Sequence, residues 1–254
     1  MVERRDAVLK YIQARGEVST DQLFSYFPEY TPKTIRRDLV HWELAGAILR
    51  SHGKARINRQ HLYGQEAQHS EREGESARVK NELASAGIGF LDKHSSIFID
   101  AGSTMMALAN HLPDRDFTIL TAAPNIALTI VGRNPQCSVL LTGGSLNPKT
   151  LSCAGYNSTE FIGQINIDIA FMGTSGFSIA NGFMVGEYFE SGLKRAVIEK
   201  ASKVILLMES SKIGVSMPFT FARPSEIDVL ICDKNIDSET ESHFLSKGTK
   251  IIKV

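Results

Sequence analysis

The chain has 254 residues, of which 43% are hydrophobic, and it carries 28 basic and 28 acidic side chains. This length accommodates one large domain or a small and a medium one, with enough apolar residues for a hydrophobic core. No apolar run approaches the roughly 20 residues of a membrane helix, and the charged start MVERRDAVLK is unlike a secretory signal. The 3 cysteines and 7 histidines lack metal-ligand spacing, so we expect neither a metal nor a cofactor. These features indicate a cytoplasmic protein without a membrane partner.

The neutral total hides an uneven distribution of charge. Residues 1–60 carry 11 Lys and Arg against 7 Asp and Glu, whereas the remaining residues carry 17 against 21. A small basic unit is typical of proteins that bind a phosphate backbone, because cations that neutralise phosphates release condensed counterions. The charge distribution therefore predicts a nucleic-acid-binding unit at the N-terminus.

Residues 1–58 carry the signals of three helices followed by a hairpin. An apolar stripe within residues 7–12 predicts a first helix, which Gly16 ends. Ser19 and Gln22 have the spacing of a capping box, so a short second helix begins there and Pro28 terminates it.

The third helix has well-marked ends and two different faces. Thr31 is suited to accept hydrogen bonds from first-turn amides, and Gly46 is suited to the position after the last turn. Ile35, Leu39 and Trp42 recur at the spacing of one buried stripe. The rest of the circumference carries the cations and hydroxyls of Lys33, Thr34, Arg36 and Arg37.

The run AILRSHGKARIN predicts a basic hairpin folded about Gly53. A hairpin after the third helix makes a winged helix-turn-helix, in which that helix enters the major groove and the hairpin contacts the backbone or minor groove. Arginine donates two parallel hydrogen bonds to guanine or phosphate, so Arg36 and Arg37 are suited to contact DNA in the major groove. The alternative is that they pair with Asp38 or Glu43 on a solvated helix face. The predicted contacts to double-stranded DNA are Thr31, Lys33, Thr34, Arg36, Arg37, Arg50, His52, Lys54 and Arg56.

Residues 59–76 are polar and lack an apolar period, which predicts a linker. Residues 77–254 alternate short apolar runs with amphipathic helices. The helical segments include TMMALANHL from Thr104, PNIALTIVGR from Pro124 and FESGLKRAVIEKASK from Phe189. The seven candidate strands are SIFID, FTILT, SVLLTGG, DIAFMGTSG, KVILLME, IDVLICD and TKIIKV. Continuous apolar strands that alternate with helices predict an α/β fold with a largely parallel sheet covered on both faces.

Three of the strand ends carry clusters of small residues: DAGST at 100–104, TGGS at 142–145 and MGTSG at 172–176. Glycine lets backbone amides approach an anion, and a helix start adds partial positive charge. Each loop alone favours an ordinary tight strand-to-helix turn. Because three such loops converge at the carboxyl edge of a parallel sheet, together they predict a phosphate site.

Charged side chains complete this predicted pocket. Lys194 and Lys212 are suited to neutralise a phosphate. The carboxylates suited to accept hydrogen bonds from hydroxyls are those of Asp100, Glu187 and Glu209. An alternative for Lys194 is a surface ion pair with Glu190, four residues earlier. The predicted effector contacts are Asp100, Gly102, Ser103, Thr104, Gly143, Gly144, Gly173, Thr174, Ser175, Gly176, Glu187, Lys194 and Lys212.

The motif TIRRDL followed by AGAILRSHGKA resembles the N-terminal signature of the DeoR family of bacterial transcriptional regulators. In the same order, DAGST, TGG, GTSG, KRAVIE and SSKIG resemble motifs of that family's effector domain, whose fold is similar to ribose-5-phosphate isomerase. The resemblance implies a winged helix-turn-helix over residues 1–58 and an effector-binding and oligomerisation domain over 77–254. It also implies a repressor of a carbohydrate catabolic operon, controlled by a phosphorylated sugar or sugar alcohol. Because two recognition helices in successive major grooves need a fixed half-site spacing, we expect a homodimer or homotetramer.

Two other functions are consistent with parts of the sequence. A sugar-phosphate isomerase needs a carboxylate base and an electrophile, for which Asp100, Glu187 and Lys194 are the candidates. Such an enzyme has no need of a basic winged unit. An architectural DNA binder without a ligand leaves the glycine loops and the acidic domain without a role. We therefore expect a ligand-controlled regulator rather than an enzyme.

Overall fold

The computed structural model describes residues 2–15, 17–44, 48–51, 53–57, 77–91 and 96–254. Gly16, Gly46, His52 and the predicted linker 59–76 lie outside these residues. The chain forms two compact units, residues 1–65 and 66–254. No helix within the described ranges is long and apolar enough to cross a membrane.

The N-terminal unit contains three helices and a three-stranded antiparallel sheet. In chain order its elements are α1 Val2–Arg15, β1 Glu17–Ser19, α2 Thr20–Tyr26, α3 Pro32–Leu44, β2 Ile48–Ser51 and β3 Lys54–Ile57. The sheet has the order β1-β3-β2. The three predicted helices and the basic hairpin are confirmed. Strand β1 has no counterpart in the sequence prediction because three residues are too few for a periodic signal.

The second helix starts where the capping box predicts. The Gln22 amide donates to Ser19 Oγ at 3.1 Å, and the Ser19 amide donates to Gln22 Oε1 at 2.8 Å. Phe27 caps the other end, immediately before Pro28. Apolar side chains of all three helices meet those of the sheet in one core. Its buried members are Val8, Ile12, Val18, Leu23, Phe27, Ile35, Leu39, Ile48 and Ala55.

A seven-stranded sheet forms the centre of the C-terminal unit. Its strands are β4 Ser96–Ile99, β5 Thr118–Thr121, β6 Ser138–Leu141, β9 Ile169–Met172, β12 Val204–Met208, β14 Val229–Cys232 and β15 Lys250–Lys253. They lie in the order β15-β14-β12-β9-β4-β5-β6, and every pairing between them is parallel. All seven predicted strands are confirmed.

The remaining strands form two smaller sheets. Strands β7 Ser145–Asn147 and β8 Ser152–Ala154 make a hairpin, and β10 Gly176–Ser178, β11 Gly182–Val185 and β13 Phe219–Ala222 make a three-stranded sheet. The helices are α4 Ala77–Ile88, α5 Ser103–His111, α6 Pro124–Arg133, α7 Tyr156–Gly163, α8 Tyr188–Lys200 and α9 Ser238–Ser246. The sequence pattern predicts α5, α6 and α8, whereas the small sheets escape it because their strands have only three or four residues.

Apolar side chains cover both faces of the large sheet. Along β12, Val204, Leu206 and Met208 pack into one core cluster, whereas Ile205 and Leu207 pack into a second. Alternate residues of a strand point to opposite faces, so a strand buried on both sides is apolar throughout. This explains the continuous apolar runs of the sequence.

The strand order of the large sheet reverses between β4 and β9. From β4 the chain proceeds through β5 and β6 toward one edge, and from β9 it proceeds through β12, β14 and β15 toward the other. At such a reversal the loops that follow the two strands diverge and leave a crevice where ligands bind. Asp100 follows β4 and Gly173 follows β9, so both lie at this point.

Candidate functional site

Helix α3 presents two adjacent arginines to solvent. Ile35 and Leu39 are buried in the core, and Arg36 and Arg37 lie exposed on the other side of the helix. Lys33 is also exposed, one turn earlier. The apolar stripe predicted this division of faces.

Thr31 and Thr34 stabilise the start of α3. Thr31 Oγ1 accepts a hydrogen bond from the Thr34 amide at 3.2 Å and lies 2.9 Å from Thr34 Oγ1. The Thr31 side chain thereby satisfies one of the amides that a helix start leaves without an intrahelical partner. Both hydroxyls adjoin Lys33 in the first turn, at the end of the helix where groove contacts are expected.

The carboxylate next to the two arginines belongs to a different ion pair. Asp38 is fully buried and accepts hydrogen bonds from Arg4 Nε at 2.6 Å and Arg5 Nε at 3.2 Å. Burial by itself raises the pKa of Asp38, but the hydrogen bonds and charges of both arginines outweigh it and hold the pKa below its ordinary value. Trp42 Nε1 donates to the Arg5 carbonyl oxygen at 2.8 Å. These contacts join α1 to α3.

Arg36 and Arg37 form no salt bridge with any residue that the structure describes. The acid nearer the end of the helix, Glu43, pairs instead with Arg50, at 3.2 Å between Oε2 and Nη1. The Arg36 guanidinium lies 5.6 Å from the ring centroid of Phe24. The described ion pairs therefore do not support the alternative in which Arg36 and Arg37 neutralise acids of their own helix. Their charges are available to an external anion.

The wing divides its cations between two faces. Arg50 and Ala55 lie directly opposite each other in the β2–β3 pairing and so share a face, and Ala55 is buried. Lys54 and Arg56 are exposed, and Lys54 Nζ lies 2.8 Å from Glu17 Oε1 of β1. The hydrogen bond from Lys54 lowers the pKa of Glu17. Lys54 and Arg56 therefore remain on the outer side of the wing, while Arg50 is directed inward.

A buried ion pair lies at the strand reversal of the large sheet. Asp100 is 2% exposed and Lys194, on α8, is 3% exposed. Lys194 Nζ donates to Asp100 Oδ2 and, at 3.1 Å, to the carbonyl oxygen of Gly173. Asp100 Oδ2 also accepts a hydrogen bond from the Gly173 amide at 2.9 Å. The loops after β4 and β9 are thus joined to each other and to α8.

One further carboxylate lies beside this ion pair, and two other predicted carboxylates lie elsewhere. Glu190 Oε1 lies 3.6 Å from Lys194 Nζ, and the Glu190 side chain is buried. The expected i, i+4 pair therefore exists, but in the interior rather than at the surface. Glu187 occupies the N-cap position of α8, where its side chain makes no capping hydrogen bond, and is exposed. Glu209 lies 3.7 Å from Lys80 of α4, measured between Oε1 and Nζ.

Four of the five predicted glycines divide into two groups. A Cβ on Gly144 would lie 2.5 Å from a serine hydroxyl of α7, and one on Gly176 would lie 2.3 Å from the Val215 carbonyl oxygen. Packing therefore requires both glycines. Gly102 and Gly143 have φ angles of 114° and 72°, and an added Cβ would meet no described atom within 4 Å. Their backbone has a conformation that suits glycine, and it is open to the approach of a ligand.

Helix α5 starts with a group of hydrogen-bond donors. Gly102 is its N-cap, and no side chain in the described part of the chain caps it. The first amides of a helix have no intrahelical acceptor and lie at its positive end. With the half-buried hydroxyls of Ser103 and Thr104 they make an arrangement that suits an anion.

Thr174 and Ser175 contribute to the small sheet. Thr174 Oγ1 donates to the Gly176 carbonyl oxygen at 2.7 Å, and the Ser175 amide donates to the Met184 carbonyl oxygen at 3.1 Å. These bonds connect the loop after β9 to the β10–β11 hairpin. Within this predicted loop, Gly173 makes the contacts with Asp100 and Lys194 described above.

Two family models match this chain. The model of the DeoR-like helix-turn-helix domain matches residues 4–61, and the model of the DeoR C terminal sensor domain matches residues 75–234. The chain belongs to the DeoR family. Its N-terminal unit is the family's helix-turn-helix domain, and its C-terminal unit contains the sensor domain.

DeoR-family relatives match this regulator over nearly its whole length. HTH-type transcriptional regulator GlpR of Haloferax volcanii is 30% identical over 98% of this chain and 96% of its own length. The glycerol-3-phosphate regulon repressor of Escherichia coli is 28% identical over 91% of this chain and 90% of its own. HTH-type transcriptional repressor GlcR of Bacillus subtilis is 28% identical over 91% and 88%. The chain is accordingly a DNA-binding transcriptional regulator and not an isomerase.

Solved structures resemble this DeoR-family chain more distantly. Ribose 5-phosphate isomerase A from Methanocaldococcus jannaschii is 13% identical over 54% of each chain, with a TM-score of 0.39. A probable sor operon regulator from Shigella flexneri is 11% identical over 67% of this chain and 89% of its own, with a TM-score of 0.44. Similarity at this level does not bear on function.

Sequence reasoning missed Asp233, which holds the start of the turn that carries Lys212 in this DeoR-family regulator. Lys212 is half-buried at the end of the short turn Ser210–Lys212. Asp233 accepts hydrogen bonds from the Ser210 amide at 2.6 Å and from Ser210 Oγ at 2.8 Å. Burial raises the pKa of Asp233, but these bonds and one from the Asn235 amide hold it below its ordinary value. The aspartate that ends the predicted strand IDVLICD is the signal that identifies it.

Proposed function

We propose that this regulator represses a carbohydrate catabolic operon and that a phosphorylated sugar or sugar alcohol controls it. The observation that carries the DNA-binding half is the exposed pair Arg36 and Arg37, which has no ion-pair partner among the described residues. Guanidinium groups that pair with no described acid suit guanine edges and phosphates of the major groove. Lys33 and the two threonines of the first turn add contacts beside them, and Lys54 and Arg56 of the wing contact the backbone.

The regulator acts as a homodimer or homotetramer. Helix-turn-helix proteins read two half-sites one helical turn apart, about 34 Å, and each half-site needs its own recognition helix. A closed oligomer with twofold symmetry supplies the two copies in matching orientation.

The strand reversal of the sensor unit is the proposed effector site. The open backbone at Gly102 and Gly143, the donors at the start of α5 and the charge of Lys212 support binding of a phosphate there. One relative is named for the glycerol-3-phosphate regulon, which also supports a phosphorylated effector. Lys194 and Asp100 hold the two loops of the site together.

An effector releases DNA only if it binds one conformation of the regulator better than another. Shifting a 1:99 equilibrium to 99:1 requires about 5.5 kcal/mol of differential affinity. Loops from both halves of the sheet contact the phosphate. These contacts form only in the conformation that brings the loops together around it, so they are suited to supply the differential affinity.

The test is fluorescence anisotropy on DNA from upstream of the regulator's own gene, at stated salt concentrations. We expect Arg36→Ala combined with Arg37→Ala to weaken specific binding about 100-fold or more and to lower the salt dependence of log K by up to about 2. Lys234→Ala with Lys247→Ala removes the same charge from two exposed sites of the C-terminal unit and should leave binding unchanged. Equal affinities of the two double variants would contradict the DNA-binding assignment.

The effector half is tested on the same wild-type complex. A panel of three- to six-carbon sugar phosphates and sugar-alcohol phosphates is added, and one member should dissociate the DNA while the unphosphorylated counterpart should not. A complex that survives every member of the panel would refute control by this class of compound.

A further inference from the structure

A cavity of about 360 Å³ lies between the β7–β8 hairpin and the start of α8. Its volume is in the range of small-molecule sites, about 300–1,000 Å³. Residues 145–150, together with Ser152 and Ala154, form one wall, and Glu187, Phe189 and Glu190 form the other. Apart from Glu187, none of these residues belongs to the contacts predicted from the sequence.

The cavity adjoins the proposed effector site at two places. The hairpin begins at Ser145, immediately after the loop of Gly143 and Gly144. On the opposite wall, Glu190 lines the cavity while its Oε1 lies 3.6 Å from Lys194 Nζ. A ligand with its phosphate at the glycine loops therefore extends into this cavity if it is long enough.

The side chain of Thr150 is the observation that points to a ligand. Thr150 is 4% exposed and lines the cavity, and its Oγ1 has no hydrogen-bond partner among the described residues. A buried hydroxyl without a partner destabilises a folded protein, so native structures seldom contain one. Thr150 therefore offers the cavity wall a hydroxyl that no described residue already engages.

The turn that carries Thr150 is held in an unusual conformation. Leu151 has a φ of 54°, and no other non-glycine residue within the described ranges has a positive φ. The Leu151 amide donates to the Asn147 carbonyl oxygen at 2.9 Å, and the Lys149 amide donates to Asn147 Oδ1 at 2.9 Å. Such strain persists only where surrounding contacts over-determine it. The position of Thr150 in the wall is therefore a fixed property of the hairpin.

The opposite wall suits a carbon chain that bears hydroxyl groups. The carboxylates of Glu187 and Glu190 repel a second phosphate but accept hydrogen bonds from hydroxyls. Phe189 is 58% exposed and offers a ring face against which the C–H groups of a sugar chain pack.

We propose that this cavity binds the hydroxylated carbon chain of a phosphorylated sugar or sugar alcohol with more than three carbons. The inference rests on the proposed function, because it assigns the second end of the same effector. Thr150 pairs with one hydroxyl of the ligand, Glu187 and Glu190 accept hydrogen bonds from others, and Phe189 packs against the carbon chain. The β7–β8 hairpin thereby selects the length of the effector.

The experiment is isothermal titration of the full-length protein with glycerol 3-phosphate, ribitol 5-phosphate, glucitol 6-phosphate and ribose 5-phosphate. We expect at least one of the longer compounds to bind about tenfold or more tightly than glycerol 3-phosphate, which corresponds to about 1.4 kcal/mol. Comparison of ribitol 5-phosphate with ribose 5-phosphate distinguishes a sugar alcohol from a sugar.

Thr150→Val removes the hydroxyl and keeps the shape of the side chain. It should raise the Kd of the preferred longer compound about three- to tenfold, the effect of one hydrogen bond, and leave glycerol 3-phosphate unchanged. The melting temperature should not fall, because the hydroxyl has no partner among the described residues to lose. Phe189→Ala should weaken binding of the same compound, and its exposed position makes misfolding no concern. Thr118→Val is the matched control, because Thr118 is an exposed threonine at the start of β5, at the opposite edge of the sheet from the three loops, and does not line the cavity; it should leave all Kd values unchanged.

The outcomes separate this inference from the proposed function. If every compound binds with one affinity, or only glycerol 3-phosphate binds, the phosphate site stands and the inference is wrong. The inference is also overturned if Thr150→Val and Phe189→Ala leave all affinities unchanged. If the wild-type protein binds none of the compounds, the proposed effector site itself is wrong, and the inference fails with it.

Discussion

The buried ion pair between α1 and α3 leads to a prediction whose size follows from the structure. Asp38→Asn keeps the shape of the side chain and removes the charge that faces Arg4 and Arg5. Loss of one partner from a fully buried pair costs about 3–5 kcal/mol. Asp38 is fully buried, but the side chains of Arg4 and Arg5 are 15% and 26% exposed, so water partly solvates them in the variant. We therefore expect the free energy of unfolding of the N-terminal unit to fall by about 2 kcal/mol.

Trp42 supplies the assay. It is the single tryptophan of the chain, and its Nε1 donates to the Arg5 carbonyl oxygen, so its fluorescence reports the packing of α1 on α3. With a urea dependence of about 1 kcal/mol per molar for a small unit, the midpoint of the fluorescence transition should fall by about 2 M. Glu43→Gln is the control, because it neutralises a carboxylate of the same helix in a more exposed pair with Arg50. That change should move the midpoint by less than about 0.5 M.

Equal midpoints for the two variants would refute this reasoning. They would mean that the buried Asp38 ion pair stabilises the N-terminal unit no more than an exposed ion pair does. Slow or incomplete recovery of fluorescence after removal of urea is checked first, since the midpoint measures stability only for a reversible transition.

Two further predictions concern acid and glycine. Because the folded pKa of Asp38 is below its ordinary value of 3.8, its stabilising contribution is present above that value and is lost as the pH falls through the folded pKa. The urea midpoint of the N-terminal unit should therefore fall on acidification from about pH 5 to pH 3, and fall less in Asp38→Asn; parallel pH profiles would contradict this. Gly176→Ala should lower the stability of the C-terminal unit by about 2 kcal/mol, because its Cβ meets the Val215 carbonyl oxygen at 2.3 Å. Gly192→Ala, in the open interior of α8, should raise stability by about 0.5–1 kcal/mol, and thermal melting that ranks the two alanine variants in the opposite order would contradict the packing argument.

Sequence signals that act over a few residues predicted most of the elements. The capping box of Ser19 and Gln22 forms as its spacing indicates, and α6 begins at Pro124 and ends at Arg133, the limits of its apolar pattern. The seven apolar runs become the seven parallel strands. Capping and periodicity depend on neighbours within one or two turns, so both can be recognised from the sequence alone. The winged unit and the sheet edge that holds the candidate site followed from these elements and the family resemblance.

The partners of the charged side chains depended on tertiary structure. Asp38 is adjacent in sequence to Arg37 but pairs with Arg4, 34 residues away, which leaves the two arginines of α3 unpaired among the described residues. Lys194 forms the i, i+4 pair with Glu190, but it also donates to Asp100, 94 residues earlier in the chain. Neither choice has a signal in local spacing, because the distance between such groups is set by which helices and strands pack together.

The same limit applies to the loops and to the cavity beside them. All the glycines of the three loops look equivalent in sequence, but Gly144 and Gly176 are required by atoms of distant segments, whereas Gly102 and Gly143 leave open space. No periodic pattern predicts the β7–β8 hairpin or the Thr150 hydroxyl, which has no hydrogen-bond partner within the described ranges. Sequence determined the elements of this regulator because hydrogen bonding and burial within an element are local. The order of strands decided the site, because it places Asp100 beside Gly173, 73 residues later, and so determines which side chains share one crevice.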